Sequence, residues 1–256
     1  MRSRTPLVAG MAATALVVVA CGGSTGSPQT GKTPTGTNGG YDKSAANMSG
    51  TPTRGGVLNV LGTGDVDFLD PNITYYSVGY EISRLISRQL YSYPAVTGKT
   101  TTVVPDLATG MPTISADGKT YRITIKQGVK WNTTPARQVT AEDLVRGVKV
   151  TCNPAQPFGG LADFSDLIEG YTAFCTGFGK VAANAAAIAA YVKGHDVSGL
   201  SADPSNPLTM VFKLTHPATY FTNMLSLAPF SPRPIEAMDY VPASAQFAQH
   251  TYSDGP

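Results

Sequence analysis

Hydrophobic and polar residues alternate with a period of two in several short segments, and this period is typical of strands. Residues 121–125 (YRITI) alternate strictly, and with residues 113–115 and the Asp-Gly pair at 117–118 they predict a β-hairpin. The apolar runs at residues 57–61 and 208–214 predict two further strands.

Other segments carry apolar residues at helical spacing. The pattern predicts helices over residues 77–90, 182–192 and 218–227. A fourth helix is expected to begin after Thr140, which is a suitable N-cap, because two acidic residues follow in the first turn. Strands and helices are mixed without a regular βαβ repeat, so the predicted class is α/β, or α+β with a mixed sheet.

The N-terminus has the features of a signal peptide. Residues 1–20 contain two early arginines and an apolar run of fourteen residues, which is too short to span about 30 Å of hydrocarbon as a helix. Cys21 follows small residues directly and so resembles the lipid-modified cysteine of a bacterial lipobox. The alternative is an ordinary secretory signal with an incidental cysteine.

A polar, low-complexity segment separates the signal from the folded body. Residues 21–54 are mostly Gly, Ser, Thr, Pro and Asn, and such a sequence has too little apolar surface to offset the entropy cost of ordering. We therefore predict a lipid-anchored flexible linker over residues 21–54 and a folded region over residues 55–256.

Charge and motif content exclude several classes of function. Without residues 1–20, the chain has 17 basic and 17 acidic residues, so it lacks the basic footprint of a nucleic-acid-binding protein. The histidines, at positions 195, 216 and 250, are isolated, and no hydrolase nucleophile motif occurs. We expect no metal site, no cofactor and no enzymatic activity in this chain.

Two cysteines remain once Cys21 is assigned to a lipid. An even number of cysteines in an exported chain favours a disulfide, so Cys152 and Cys175 are predicted to pair. The alternative is a pair of buried thiols.

Six short motifs follow one another in the order found in a known family. With them, the chain resembles the extracytoplasmic solute-binding proteins of ABC importers, in the oligopeptide/dipeptide/nickel-type family (family 5). The motifs are Gly55–Leu58, Leu69–Pro71, Pro105–Ala108, Ser115–Tyr121, Gly128–Trp131 and Val139–Leu144.

This resemblance implies a two-lobed clamp of the periplasmic-binding-protein type (type II). It also implies that the chain is truncated at the C-terminus, covers part of the first lobe and binds ligand weakly or not at all by itself. The loop after the Leu-Asp-Pro motif contacts ligand in peptide-binding relatives, which carries over to Tyr75, Tyr76 and Ser77. The alternative is that one tyrosine packs under the following helix. Phe158 is a further candidate for ligand binding.

The resemblance further implies a monomeric lipoprotein on the extracytoplasmic face of a bacterial cell membrane. It would bind oligopeptides and deliver them to the permease subunits of an ABC importer. Nickel chelates, haem and sugars remain alternative ligands. A peptide-signal receptor of the same fold and a secreted hydrolase, with an active site in the missing half, remain alternative functions.

Overall fold

A computed structural model describes residues 55–57, 59, 61–62, 64–94 and 96–255. The predicted signal peptide, the predicted lipidation site at Cys21 and the predicted linker lie outside these residues.

The described residues contain the strands β1 Tyr91–Ser92, β2 Val104–Pro105, β3 Thr113–Ile114, β4 Thr120–Thr124, β5 Leu200–Asp203 and β6 Asn206–Lys213. The main sheet has four antiparallel strands in the order β3-β4-β6-β5. In β4, Tyr121 and Ile123 are buried while the residues between and after them are exposed, which is the predicted alternation. The Asp-Gly turn brings β3 beside β4, and Gly118 takes the φ of +70° that this turn requires. Strands β1 and β2 form a separate antiparallel pair.

Six α-helices and three 3₁₀ segments accompany these strands in the described part of the chain. The helices are α1 Ser77–Ile86, α2 Ala141–Val150, α3 Tyr171–Phe178, α4 Ala185–Gly194, α5 Phe221–Met224 and α6 Ala245–Ala248. The 3₁₀ segments are Leu161–Asp163, Ala228–Phe230 and Ile235–Asp239. This mixture of helices and strands confirms the predicted mixed class, although every strand pair in the described residues is antiparallel, so the sheet itself is not mixed.

The helix that covers the sheet begins where the sequence predicts. The backbone N–H of Thr140 donates to the carboxylate of Asp143 at 3.0 Å, which ties the cap to the first turn of α2. Leu144 and Val148 are buried where α2 packs against β5 and β6. After α2, a disulfide joins Cys152 to Cys175 of α3, which is the predicted pairing.

Three sequence predictions differ from the structure. Helix α1 ends at Ile86 because the backbone of Ser87 turns to an extended conformation that leads into β1. The helix predicted over residues 218–227 is limited to the single turn α5. The described residues at 57, 59 and 61 belong to no strand, and the sheets of the described residues contain no strand from this segment.

None of the helices in the described residues has the length and apolar content needed to cross a lipid bilayer.

Candidate functional site

An open concavity lies beside the loop that follows the Leu-Asp-Pro motif. Its volume is about 640 Å³, and Gly64 and Asp65 form one part of its lining. The other part consists of Tyr75, Tyr76, Ser77 and Val78 at the start of α1. The structure thus brings three of the four predicted ligand-binding residues to one surface. Because Tyr75 and Tyr76 are 52% and 59% exposed, both rings offer apolar area to a ligand.

The carboxylate of Asp67 organises the backbone of this loop. Its Oδ2 accepts the N–H groups of Tyr75 at 2.6 Å and Tyr76 at 3.2 Å. Its Oδ1 accepts the N–H of Phe68 and the hydroxyl of Thr74. Burial raises the pKa of Asp67, but these donors outweigh burial, so the pKa lies below its ordinary value. The carboxylate therefore remains ionised and holds two tyrosines at the helix start.

Helix α1 can approach this carboxylate because residue 79 is a glycine. A Cβ on Gly79 would overlap the hydroxyl of Thr74 and would come within 2.8 Å of Asp67 Oδ1. The first turn of α1 is thereby fixed beside the loop.

The ring of Tyr75 rests on a second, distant segment of the chain. It meets Phe158 edge to face, with ring centroids 5.5 Å apart and an interplanar angle of 78°. A Cβ built on Gly159 or on Gly160 would lie 3.1 or 3.0 Å from atoms of the Tyr75 ring. The two glycines therefore form a flat seat beneath that ring.

Phe158 differs from the other predicted ligand contacts in its exposure. It is buried, with 4% of its surface exposed, and it stacks on Phe164 at a centroid distance of 6.1 Å. Its backbone N–H also donates to the carbonyl of Thr151 at 2.7 Å, which draws the loop inward. In this structure Phe158 supports Tyr75 from below and presents no open face of its own.

The same region contains a phenol that stays protonated. Burial, followed by the nearby Tyr75, Asp67 and Asp163, raises the pKa of Tyr80 to about 12. Tyr80 is therefore a neutral group of α1 throughout the physiological range of pH.

A buried ion pair supports the loop from inside the molecule. Arg233 Nη1 lies 2.7 Å from Asp70 Oδ2, and both side chains are almost fully buried. The Arg233 guanidinium also lies over the ring of Phe247, 4.8 Å from its centroid. Asp70 belongs to the Leu-Asp-Pro motif, so the motif contributes a structural anchor beside the site.

Sequence reasoning did not identify four of these residues, namely Asp67, Gly159, Gly160 and Arg233. The roles of Gly159, Gly160 and Arg233 depend on partners far away in the chain, and a single sequence contains no signal for such pairs. Asp67 has nearby partners, but its role depends on how the loop folds back on its carboxylate. Only the exposed tyrosines carried a usable signal, through their position after the Leu-Asp-Pro motif.

Solved structures with the same fold include several oligopeptide-binding proteins. The clavulanic acid biosynthesis oligopeptide binding protein 2 aligns with a TM-score of 0.63 and 24% identity over 79% of this chain. The pheromone receptor PrgZ aligns with a TM-score of 0.54 and 22% identity over 74% of this chain. OppA of Listeria monocytogenes, solved with bound peptide, aligns with a TM-score of 0.53 and 19% identity, also over 74%.

The aligned region covers 33% of each of these three chains, so this chain spans about a third of their length. A search among curated proteins found no match.

A family model described as "Bacterial extracellular solute-binding proteins, family 5 Middle" matches residues 102–256. The matched region is more than half of the chain and contains the main sheet, Phe158 and the Gly159–Gly160 seat. The loop that carries Tyr75 and Tyr76, the tyrosine loop, precedes the match and packs against it through the contact of Tyr75 with Phe158. The chain belongs to the bacterial extracellular solute-binding proteins of family 5.

Proposed function

We propose that this chain forms one wall of a peptide-binding cleft in the solute-binding protein of an ABC importer. The observation that carries the proposal is the pair of exposed tyrosines, Tyr75 and Tyr76, in an open concavity at the start of α1. Three proteins that share the fold are described as an oligopeptide binding protein, a pheromone receptor with a mode of peptide binding, and an OppA bound to peptide.

The chemistry of the concavity suits peptides of varied sequence. Tyrosine rings offer flat apolar faces with a polar tip, so they pack against different side chains without a fixed hydrogen-bond pattern. Peptide backbones are commonly recognised through main-chain hydrogen bonds, with roomy pockets for side chains. The proposed work of the chain is binding and transfer to a permease, without catalysis.

The proposal places the protein outside the cell, tethered to the membrane. Residues 1–20 would direct export, a lipid on Cys21 would anchor the mature chain, and residues 21–54 would let the folded body move above the membrane surface. Radiolabelled palmitate should be incorporated by the wild-type chain in a bacterial host and should be absent from a Cys21→Ala variant. Equal incorporation by the two would refute the lipid assignment.

Peptide binding can be tested by nuclear magnetic resonance with the ¹⁵N-labelled chain from residue 22 onward. Because a single wall buries only part of a ligand, we expect weak binding, with a dissociation constant on the order of millimolar. A mixture of tri- to pentapeptides should shift the amide signals of residues 64–65 and 75–78. Unchanged spectra at saturating peptide, or shifts confined to another surface, would contradict the proposal.

The likeness to a pheromone receptor makes peptide signalling a second candidate role. The two roles differ in what the cell does with the peptide. Deletion of the gene should abolish uptake of a labelled peptide if the role is import. A loss of a transcriptional response with uptake intact would favour signalling.

A further inference from the structure

Tyr75 is held from two independent directions, whereas Tyr76 is held from one. Asp67 fixes the backbone of both tyrosines through their N–H groups. Only the Tyr75 ring also lies against Phe158 and the Gly159–Gly160 seat. Among the described residues, the ring of Tyr76 has no aromatic partner, and it is the more exposed of the two.

We propose that Asp67 and the Gly159–Gly160 pair are positioning residues that hold Tyr75 as a rigid wall of the cleft and leave Tyr76 free to adapt to the ligand. The identity of the ligand as a peptide rests on the proposed function. The inference that the Tyr75 ring is fixed and the Tyr76 ring is free rests on the contacts of this chain alone.

The backbone conformation at Tyr75 and Tyr76 depends on both carboxylate oxygens of Asp67. Oδ2 accepts the two tyrosine N–H groups, and Oδ1 accepts Phe68 N–H and the Thr74 hydroxyl, so each oxygen faces donors only. Removal of the carboxylate leaves these donors without their acceptor at a partly covered site. The turn that presents Tyr75 would then be free to change its backbone angles.

The position of the Tyr75 ring depends on the absence of side chains at residues 159 and 160. A Cβ on Gly160 would come within 2.8 Å of the Phe158 ring as well as 3.0 Å of the Tyr75 ring. The Phe158 ring is stacked on Phe164 and supports the Tyr75 ring, so a Cβ placed against both rings displaces Tyr75 whether it pushes that ring directly or moves the ring that supports it. Alanine at this position would therefore displace Tyr75 while Asp67 remains intact.

A fixed ring lowers the entropy cost of binding, since a wall that is already in place loses little freedom when a ligand arrives. Tyr76 can instead rotate to follow side chains of different size. Tyr75 would therefore contribute affinity for the peptide, and Tyr76 would allow peptides with side chains of different size to bind.

The test compares Asp67→Ala and Gly160→Ala with a matched control, Asp117→Ala. Asp117 also accepts a backbone N–H and a serine hydroxyl in an exposed turn, but it lies in the β3–β4 hairpin away from the concavity. Two quantities are measured by nuclear magnetic resonance on each folded variant. They are the dissociation constant of a peptide, and the ring-current shift that Tyr75 imposes on the protons of Gly159 and Gly160.

Asp67→Ala should weaken peptide binding by roughly tenfold or more, because the four hydrogen bonds that the carboxylate accepts are lost and Tyr75 is no longer held in place. Gly160→Ala should weaken it as well, and both variants should lose the ring-current shift at Gly159. Asp117→Ala should change neither quantity. A purely stabilising role of Asp67 would lower the unfolding midpoint but leave the Gly159 shift of the folded protein as it is.

Wild-type affinity and wild-type ring-current shifts in both variants would overturn the inference. If Asp67→Ala does not fold, Gly160→Ala decides alone, since it leaves the carboxylate in place. If the wild-type chain binds no peptide, the proposed function fails. The Gly159 shift still tests whether Asp67 and the two glycines position Tyr75.

Discussion

Gly147 shows how a single residue sets the distance between a helix and the chain it covers. It lies in α2, where an added Cβ would overlap the carbonyl oxygen of Ser231 and come within 3.0 Å of Asn72 Nδ2. Gly147→Ala should therefore lower the free energy of unfolding by about 2 kcal/mol, since overpacked sites give way only through backbone shifts. Denaturant unfolding measures this change.

Gly194 provides the control, because it ends α4 and has no atoms near the position of a Cβ. Gly194→Ala should leave stability unchanged or raise it by about 0.5 kcal/mol, through the lower entropy of the unfolded chain. Equal effects of the two substitutions would show that close approach at Gly147 is not the cause.

The buried pair of Asp70 and Arg233 stabilises the base of the tyrosine loop. Asp70→Ala should lower the free energy of unfolding by about 3–5 kcal/mol, because it leaves an uncompensated guanidinium in the interior. The double variant Asp70→Ala, Arg233→Met should be more stable than Asp70→Ala alone, since no charge then stays buried. A double-mutant cycle by denaturant unfolding tests this, and strict additivity would contradict a direct interaction.

At the scale of elements, the disulfide ties the loop after α2 to α3. Cys152 and Cys175 are 23 residues apart in sequence, with Cα atoms at 5.6 Å. The double variant to Ser should lose about 3 kcal/mol of stability by the loop-entropy estimate. Thermal and denaturant unfolding measure the loss. Intact mass of the wild type should rise by two hydrogens on reduction, and an unchanged mass would exclude the bond.

The elements that the sequence predicts well are those whose cause is local. The β3–β4 hairpin follows from strict alternation around an Asp-Gly turn, and α2 begins at the predicted cap. The strand expected at residues 57–61 is inferred from an apolar run, and such a run does not specify the neighbouring strand that its backbone groups would need. The end of α1 at Ile86 is set by β1, which pairs with β2 thirteen residues later in sequence.

The candidate site was predictable only in part for the same reason. Tyr75 and Tyr76 follow a recognisable motif, so family resemblance placed them. The seat beneath Tyr75 was missed because Gly159 and Gly160 act through a ring more than eighty residues away in sequence. Phe158 is a candidate in the sequence only through its place in the loop of residues 153–160, and its stacking on Phe164, which buries it, depends on the fold.

At the scale of the whole molecule, ionised carboxylates stabilise the fold most strongly above their own pKa values. Burial raises the pKa of Asp143, but Arg137, Trp131 and the Thr140 N–H outweigh it and lower the pKa. Arg137 also lowers the pKa of Glu236 by hydrogen bonding. These groups contribute stability that is present above their ordinary values of 3.8 and 4.5 and is lost as the pH falls through their lower folded-state pKa values.

Asp254 acts in the opposite direction. Burial raises its pKa from 3.8 to about 7, and hydrogen bonds from Arg88 N–H and the Ser87 hydroxyl only partly offset this effect. The Arg88 guanidinium pairs with Asp106 instead, and Asp254 Oδ2 is buried without a hydrogen-bond partner. The protonated form is therefore the one that the folded protein favours.

The stability that Asp254 contributes is fully present below about pH 4 and is lost as the pH rises through about 7. Asp254→Asn keeps the shape of the protonated side chain and cannot ionise, so the variant should become increasingly more stable than the wild type between pH 4 and 7. Free energies of unfolding, measured for both proteins at pH 4, 5, 6, 7 and 8, give this difference directly. Asp117→Asn is the control, because the pKa of Asp117 is lowered by its turn hydrogen bonds and its difference from the wild type should stay constant above pH 5. If the difference in free energy of unfolding between Asp254→Asn and the wild type does not change between pH 5 and 8, the prediction is wrong. The carboxylate would then already be ionised in the folded protein at pH 5, and the segment around it would be open to water.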